Sequence, residues 1–114
     1  MAYKSKKDQA AASKRHYHAN KEKIKARARA RNKKQTAVNR AYVNKIKQQS
    51  KCIDCGETNP LVLDFDHVHG RKKECISNMV RSAYSLKTIK REIEKCEIRC
   101  SNCHRIATYK RNYE

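Results

Sequence analysis

In 114 residues, 29 Lys and Arg stand against 11 Asp and Glu, a net charge of +18, and the length leaves room for one domain and an extension. With 38% apolar residues, one Phe, no Trp, two Gly and one Pro, the chain cannot fill a large core unaided and needs a staple. The longest apolar runs are three residues (Ala10–Ala12 and Leu61–Leu63 among them), and Met1–Lys7 has no apolar stretch behind its basic start, so neither a membrane span nor a secretory signal is expected.

A cytoplasmic setting is the corresponding expectation. There the six cysteines stay reduced, which favours metal over disulfides. The charge is uneven. Residues 1–50 hold 16 Lys/Arg against Asp8 and Glu22, a net of +14, whereas residues 51–114 hold 13 against nine acids, a net of +4, together with every cysteine. This composition boundary near Ser50-Lys51 divides a basic extension, 1–50, from a metal-stapled module, 51–114.

The extension is rich in the helix formers Ala, Lys, Arg and Gln and lacks Gly and Pro. Its larger apolar residues are few: Tyr3, Tyr17, Ile24, Val38, Tyr42, Val43 and Ile46. Val38, Tyr42 and Ile46 follow the spacing i, i+4, i+8, one helical stripe able to dock on the module. The alternation Ala26-Arg27-Ala28-Arg29-Ala30-Arg31, with Lys33 and Lys34 after it, has nothing to bury. It reads either as a solvated tail or as a helix that orders against backbone phosphate, with nucleic acid as the default partner. An anionic membrane is the weaker alternative, because no Leu, Phe or Trp face is present to insert.

In the module, Pro60–Val68 reads as a strand and His69–Lys73 as a turn or loop. Ile76, Met79, Val80 and Ala83 recur at i, i+3, i+4, i+7, a short amphipathic helix. Ser85 is a candidate N-cap for a second helix with Leu86, Ile89, Ile93 and Cys96 on one face. Glu97–Arg99 is long enough only for a strand. Ser101 then reads as the N-cap of a last helix with Ile106, Tyr109 and Tyr113 on one side.

Cys52-Ile53-Asp54-Cys55 and Cys100-Ser101-Asn102-Cys103 are two C-x2-C pairs. Each offers two thiolates from one tight turn, and together they make the closed four-thiolate site of structural zinc. Cys75 and Cys96 fit neither pair; both are expected on helices as buried free thiols. Asp64, Asp66, His67 and His69 crowd the end of the strand, and His104 follows Cys103 at the start of the last helix. Joining the two cysteine pairs would draw Asp66, His67 and His104 together. An Asp and a His with water in the remaining positions make an open site for a divalent ion, and a second His beside it suits a general base.

The order Cys52-x2-Cys55, Asp64-Phe65-Asp66-His67-Val68, Cys100-x2-Cys103-His104-Arg105 resembles the HNH nucleases, in particular their zinc-bearing phage and bacterial branch, over roughly residues 50–112. The resemblance implies a small α+β fold, a zinc-stapled ββα-metal core with helices inserted at about 77–96 and the basic helical extension before it. It implies His67 as general base, Asp66 and His104 as ligands of a catalytic Mg2+ or Mn2+ (with Ni2+ or Co2+ tolerated), and zinc on the four paired cysteines. It departs at Lys95, where the family carries the Asn that orients the base-bearing loop. Asp66 and His67 face opposite sides of a regular strand, so the strand is expected to end or bulge between them.

The expected activity is metal-dependent hydrolysis of DNA phosphodiester bonds. Arg27, Arg29, Arg31, Lys33, Lys34 and Arg105 would hold flanking phosphates. A monomer is the expected state, with a dimer allowed. The rival readings are a non-catalytic zinc-stapled nucleic-acid-binding module and a small basic RNA- or ribosome-associated protein. Because every proposed ligand lies beyond residue 50, the module is expected to fold without residues 1–48.

Overall fold

The computed structural model of the chain describes residues 5–113; Tyr3 and the start of the N-terminal stretch weighed as a signal lie outside them. It is a small α+β structure whose elements run α1 (Lys6–Gln48), β1 (Leu63–His67), α2 (Ile76–Arg81), α3 (Leu86–Ile93), β2 (Cys96–Cys100) and α4 (Ser101–Tyr113). Among the described residues no helix is long and apolar enough to cross a membrane.

By packing, the chain divides at Lys33/Lys34, inside the stretch that composition assigns to the extension. In residues 5–33 no side chain is buried, and their two larger apolar residues, Tyr17 and Ile24, are exposed. The helix is held there by its backbone and by local bonds such as Asn20 Nδ2 to the His16 carbonyl, 2.9 Å.

Residues 34–48 belong with the cysteine-bearing half. The side chains of α1 that are buried there are Asn39 and Val43, with Tyr42 packed partly against the same core. Val38, expected on the docking stripe, is 45% exposed. A spacing of i, i+4, i+8 overruns the 3.6-residue turn, so the buried face instead takes Asn39, four residues before Val43. Asn39 tolerates full burial because both ends of its amide are used. Its Nδ2 donates to the Tyr84 carbonyl at 2.9 Å, and its Oδ1 accepts from Gln35 Nε2 at 2.9 Å.

The expected strand over Pro60–Val68 is shorter in the structure. Asn59 caps a 3-10 turn at Pro60–Val62, its side chain accepting from the Leu61 amide, and β1 starts only at Leu63. β1 and β2 form a two-stranded antiparallel sheet in the register Leu63↔Cys100, Phe65↔Ile98 and His67↔Cys96. Cys96, expected on a helix, is thus the first residue of the second strand. It is half-buried, and burial pushes its thiol up to about 11. Cys75, likewise half-buried, precedes α2 as its N-cap.

α2 ends at Arg81, before Ala83. The Ala83 amide bonds the Val80 carbonyl and the Tyr84 amide that of Met79, while Ala83 takes φ 57°. That is a Schellman cap with Ala where glycine is usual. Ser85 does cap α3, accepting from the Thr88 amide. Ser101 does not cap α4, because its hydroxyl donates to the Val62 carbonyl. Ile106, Tyr109 and Tyr113 are exposed, so α4 buries none of the residues expected on its apolar side.

Two small cores result. One gathers Val43, Ile76, Met79, Val80 and Ile89; the other is built on Cys52, Leu63 and Cys100.

Candidate functional site

The two C-x2-C turns are near copies of each other. The Cys55 amide points at Cys52 Sγ (3.5 Å) and the Cys103 amide at Cys100 Sγ (3.4 Å), so each leading sulfur accepts a backbone N–H. Gly56 closes the first turn at φ 80°, its amide bonding the Cys52 carbonyl at 2.9 Å. Pairing of β1 with β2 brings Cys100 beside Leu63, and all four sulfurs lie within 4.8 Å of one another. Cys55 Sγ and Cys100 Sγ are 3.7 Å apart. A tetrahedron of ~2.3 Å metal–sulfur bonds has edges of roughly 3.8 Å. The cluster is therefore positioned to hold a metal ion.

Its protonation fits the same use. Burial opposes the Cys52 thiolate, yet hydrogen bonds from the backbone of Cys100, Cys55 and Asp54 outweigh it and lower Cys52 to about 6. Cys103 is pushed up by sharing a hydrogen bond with Cys100. Cys52 and Cys103 thus do not ionise together by themselves, and a cation that binds the cluster displaces protons.

Next to this cluster stands His104, the residue after Cys103 in α4. Its Nδ1 lies 3.2 Å from Asp64 Oδ2 and its Nε2 lies 3.4 Å from Asp66 Oδ1, so the ring spans the two carboxylates that share a face of β1. Asp66 is 2% exposed. Its Oδ2 takes Arg99 Nη1 at 2.8 Å and Arg111 Nη2, which leaves Oδ1 for His104. Arg99 also binds Asp54 of the first cysteine turn (2.8 Å) and Glu97 (3.0 Å), tying the cysteine cluster to Asp66.

His67 is the last residue of β1, and the strand neither bulges nor ends before it. Its imidazole faces away from Asp66, as strand alternation demands, with Nε2 buried 3.3 Å from Glu92 Oε1 on α3. Burial pushes the His67 imidazole below its ordinary value, more than Glu92 raises it. Burial also pulls Glu92 upward, but the Lys73 amide (2.8 Å) and the Lys95 ammonium (3.0 Å) prevail and hold its carboxyl below the ordinary range.

Among the described residues β1 pairs on one edge with β2, and Asp64, Phe65 and His67, from both faces, line a common cleft with His104. The cleft, about 640 Å³, is walled by Arg40, Lys47, Lys72 and Arg81, with Asp64 as its acid. The structure therefore brings His67 and His104 to one cleft and sets Asp66 behind it. The carboxylate that reaches the cleft is Asp64.

The loop after His67 is pinned by Lys95. Its carbonyl accepts from the Val68 and His69 amides (2.9 and 3.0 Å), and its Nζ donates to the Arg71 carbonyl at 2.8 Å. Sequence reasoning missed Glu92, Arg99 and Arg111. Only Glu92 left a signal: it is an acid three residues after Ile89 on the apolar face of α3. Arg27, Arg29, Arg31, Lys33, Lys34 and Arg105 are all exposed. At 100° per residue, Arg29 lies on the side of the helix opposite Arg27 and Arg31. No family model matches the chain, and neither a curated protein nor a solved structure matches it.

Proposed function

We propose that this chain is a divalent-metal-dependent DNA endonuclease of the HNH type, with a structural zinc on Cys52, Cys55, Cys100 and Cys103. The observation that carries the reading is His104, which meets Asp64 inside a basic cleft that His67 also lines and Asp66 just behind it. One imidazole between carboxylate oxygens is a donor set suited to Mg2+ or Mn2+ with water completing the shell. Four thiolates at tetrahedral spacing suit zinc.

Asp66 and His104 would hold the catalytic ion, with Asp64 orienting the His104 ring from its other nitrogen. When bound, the ion supplies Lewis-acid stabilisation of the charge that grows on the phosphate and the leaving 3′ oxygen. His67, with Nε2 turned into the protein, offers Nδ1 to take a proton from the attacking water. Arg40, Lys47, Lys72 and Arg81 favour a phosphodiester in the cleft over a neutral substrate. Lys95 stands where the family's Asn is expected, and its grip on the loop after His67 does the comparable work.

The test is supercoiled plasmid incubated with Mn2+, with Mn2+ plus EDTA, and with His67→Ala protein. The expected result is metal-dependent cleavage that drops by about 10²–10⁴ in the variant while DNA binding persists. One observation favours a second reading, a non-catalytic zinc-stapled nucleic-acid-binding module: two guanidinium groups already neutralise Asp66 from its Oδ2. Binding without cleavage by metal-loaded wild-type protein selects that reading.

A further inference from the structure

Glu92 is 2% exposed on α3, on the face that also carries the fully buried Ile89. An apolar side chain there would pack without the desolvation cost of a carboxylate, so the acid calls for a use. Three groups converge on it. Lys73 N–H and Lys95 Nζ satisfy it from the loop side, and His67 Nε2 faces its Oε1 at 3.3 Å. The first two fix where the carboxylate sits; the third belongs to the ring that lines the cleft beside His104.

The His67 ring nitrogens are thereby unequal. Nε2 is buried and, among the described residues, has Glu92 as its neighbouring acceptor but no well-aligned hydrogen bond. A carboxylate can only accept, so it selects the tautomer that carries the proton on Nε2. The same arrangement, a buried carboxylate behind an imidazole, fixes ring orientation and stabilises the imidazolium in hydrolases of unrelated fold.

We infer that Glu92 is a positioning residue for His67, holding it as the Nε2–H tautomer and presenting Nδ1 to the cleft as the basic nitrogen. The inference rests on the endonuclease reading for its catalytic consequence but not for its geometry. Loss of the carboxylate lets the proton move to Nδ1, and that ring form cannot accept a proton from water on the cleft side.

Two measurements on the full-length, metal-loaded protein test it. Nitrogen-15 NMR of the His67 ring is expected to show the Nε2–H form in the wild type and a mixture or the Nδ1–H form in Glu92→Met, which keeps the length and packing of the side chain. In plasmid cleavage, Glu92→Met is expected to lower kcat by about 10–10³-fold with KM little changed, and to cause no further loss in a His67→Ala background. A purely structural role predicts the opposite pattern, a loss that persists when His67 is absent. Either that persistence or an Nδ1–H ring in the wild type overturns the proposal. If Glu92→Met does not fold, Glu92→Gln is measured in the same two ways, and the wild-type tautomer alone remains decisive. If wild-type protein does not cleave at all, the endonuclease reading fails while the NMR result still decides whether Glu92 sets the tautomer.

Discussion

His104 owes its place to two short-range facts: it follows Cys103, and it lies in the first turns of α4, which continues directly from β2. From there its two nitrogens meet Asp64 and Asp66, whereas His67 meets Glu92 on the other face of the strand. Under the endonuclease reading, the separation predicts different phenotypes for Asp66 and His67, neighbours in the chain. His104→Ala and Asp66→Asn are expected to raise the Mn2+ concentration needed for half-maximal cleavage by about tenfold or more, the scale of losing a ligand or its support. His67→Ala should lower cleavage at saturating Mn2+ and leave the metal midpoint where it was. Calorimetric titration with Mn2+ checks the metal effect without relying on activity. Asp66→Asn is chosen over Ala because Arg99 and Arg111 still find an acceptor oxygen.

At the scale of elements, two features set what can be changed. Ala83 closes α2 in the left-handed region at φ 57°, where a Cβ costs about 1–2 kcal/mol. Ala83→Gly is therefore expected to raise stability by roughly 1 kcal/mol, read as a higher midpoint in urea at unchanged slope. The second feature is the C-terminal part of α1. Asn39 and Val43 are core residues and Arg40 and Lys47 wall the cleft, so the expectation that residues 1–48 are dispensable does not hold. Deleting residues 1–33 is expected to leave thermal unfolding of the remainder cooperative. Deleting 1–48 removes Val43 from the core it shares with Ile76, Met79, Val80 and Ile89, and the product should unfold without a cooperative transition.

For the molecule as a whole, the four-cysteine cluster and one charge imbalance dominate. The core around Cys52, Leu63 and Cys100 has little apolar mass apart from the cysteines, so a metal bound there would contribute folding free energy. Chelation by EDTA or a stronger thiol-competing agent is expected to abolish the cooperative melt, and readdition of Zn2+ to restore it. Residues 5–33 carry Arg27, Arg29, Arg31 and Lys33 on an exposed helix with no buried side chain. Under the DNA-binding reading, removing residues 1–33 should lower affinity for random and genomic duplexes alike. The slope of log K against log salt should also shrink by about 0.9 for each phosphate that the shortened chain no longer neutralises. An unchanged slope would show that this segment does not engage DNA.

Much of this protein is determined locally and is legible in order along the chain. The two cysteine turns follow from a spacing of two residues and, in the first, a glycine, the cap of α3 from Ser85, and the long α1 from a run without Gly or Pro. Those features depend on neighbours within a few bonds, which is why composition and spacing suffice for them. The partners of the candidate site were decided only by tertiary structure. Nothing in the sequence says that Arg99 joins Asp54 to Asp66, that Arg111 reaches Asp66 from the far end of α4, or that Glu92 sits behind His67. Each of these is a long charged side chain whose partner is chosen by the register of β1 on β2 and by where α3 packs. A one-residue slip of that register would turn Arg99 to the opposite face from Asp66, and the sequence pattern alone does not distinguish the two.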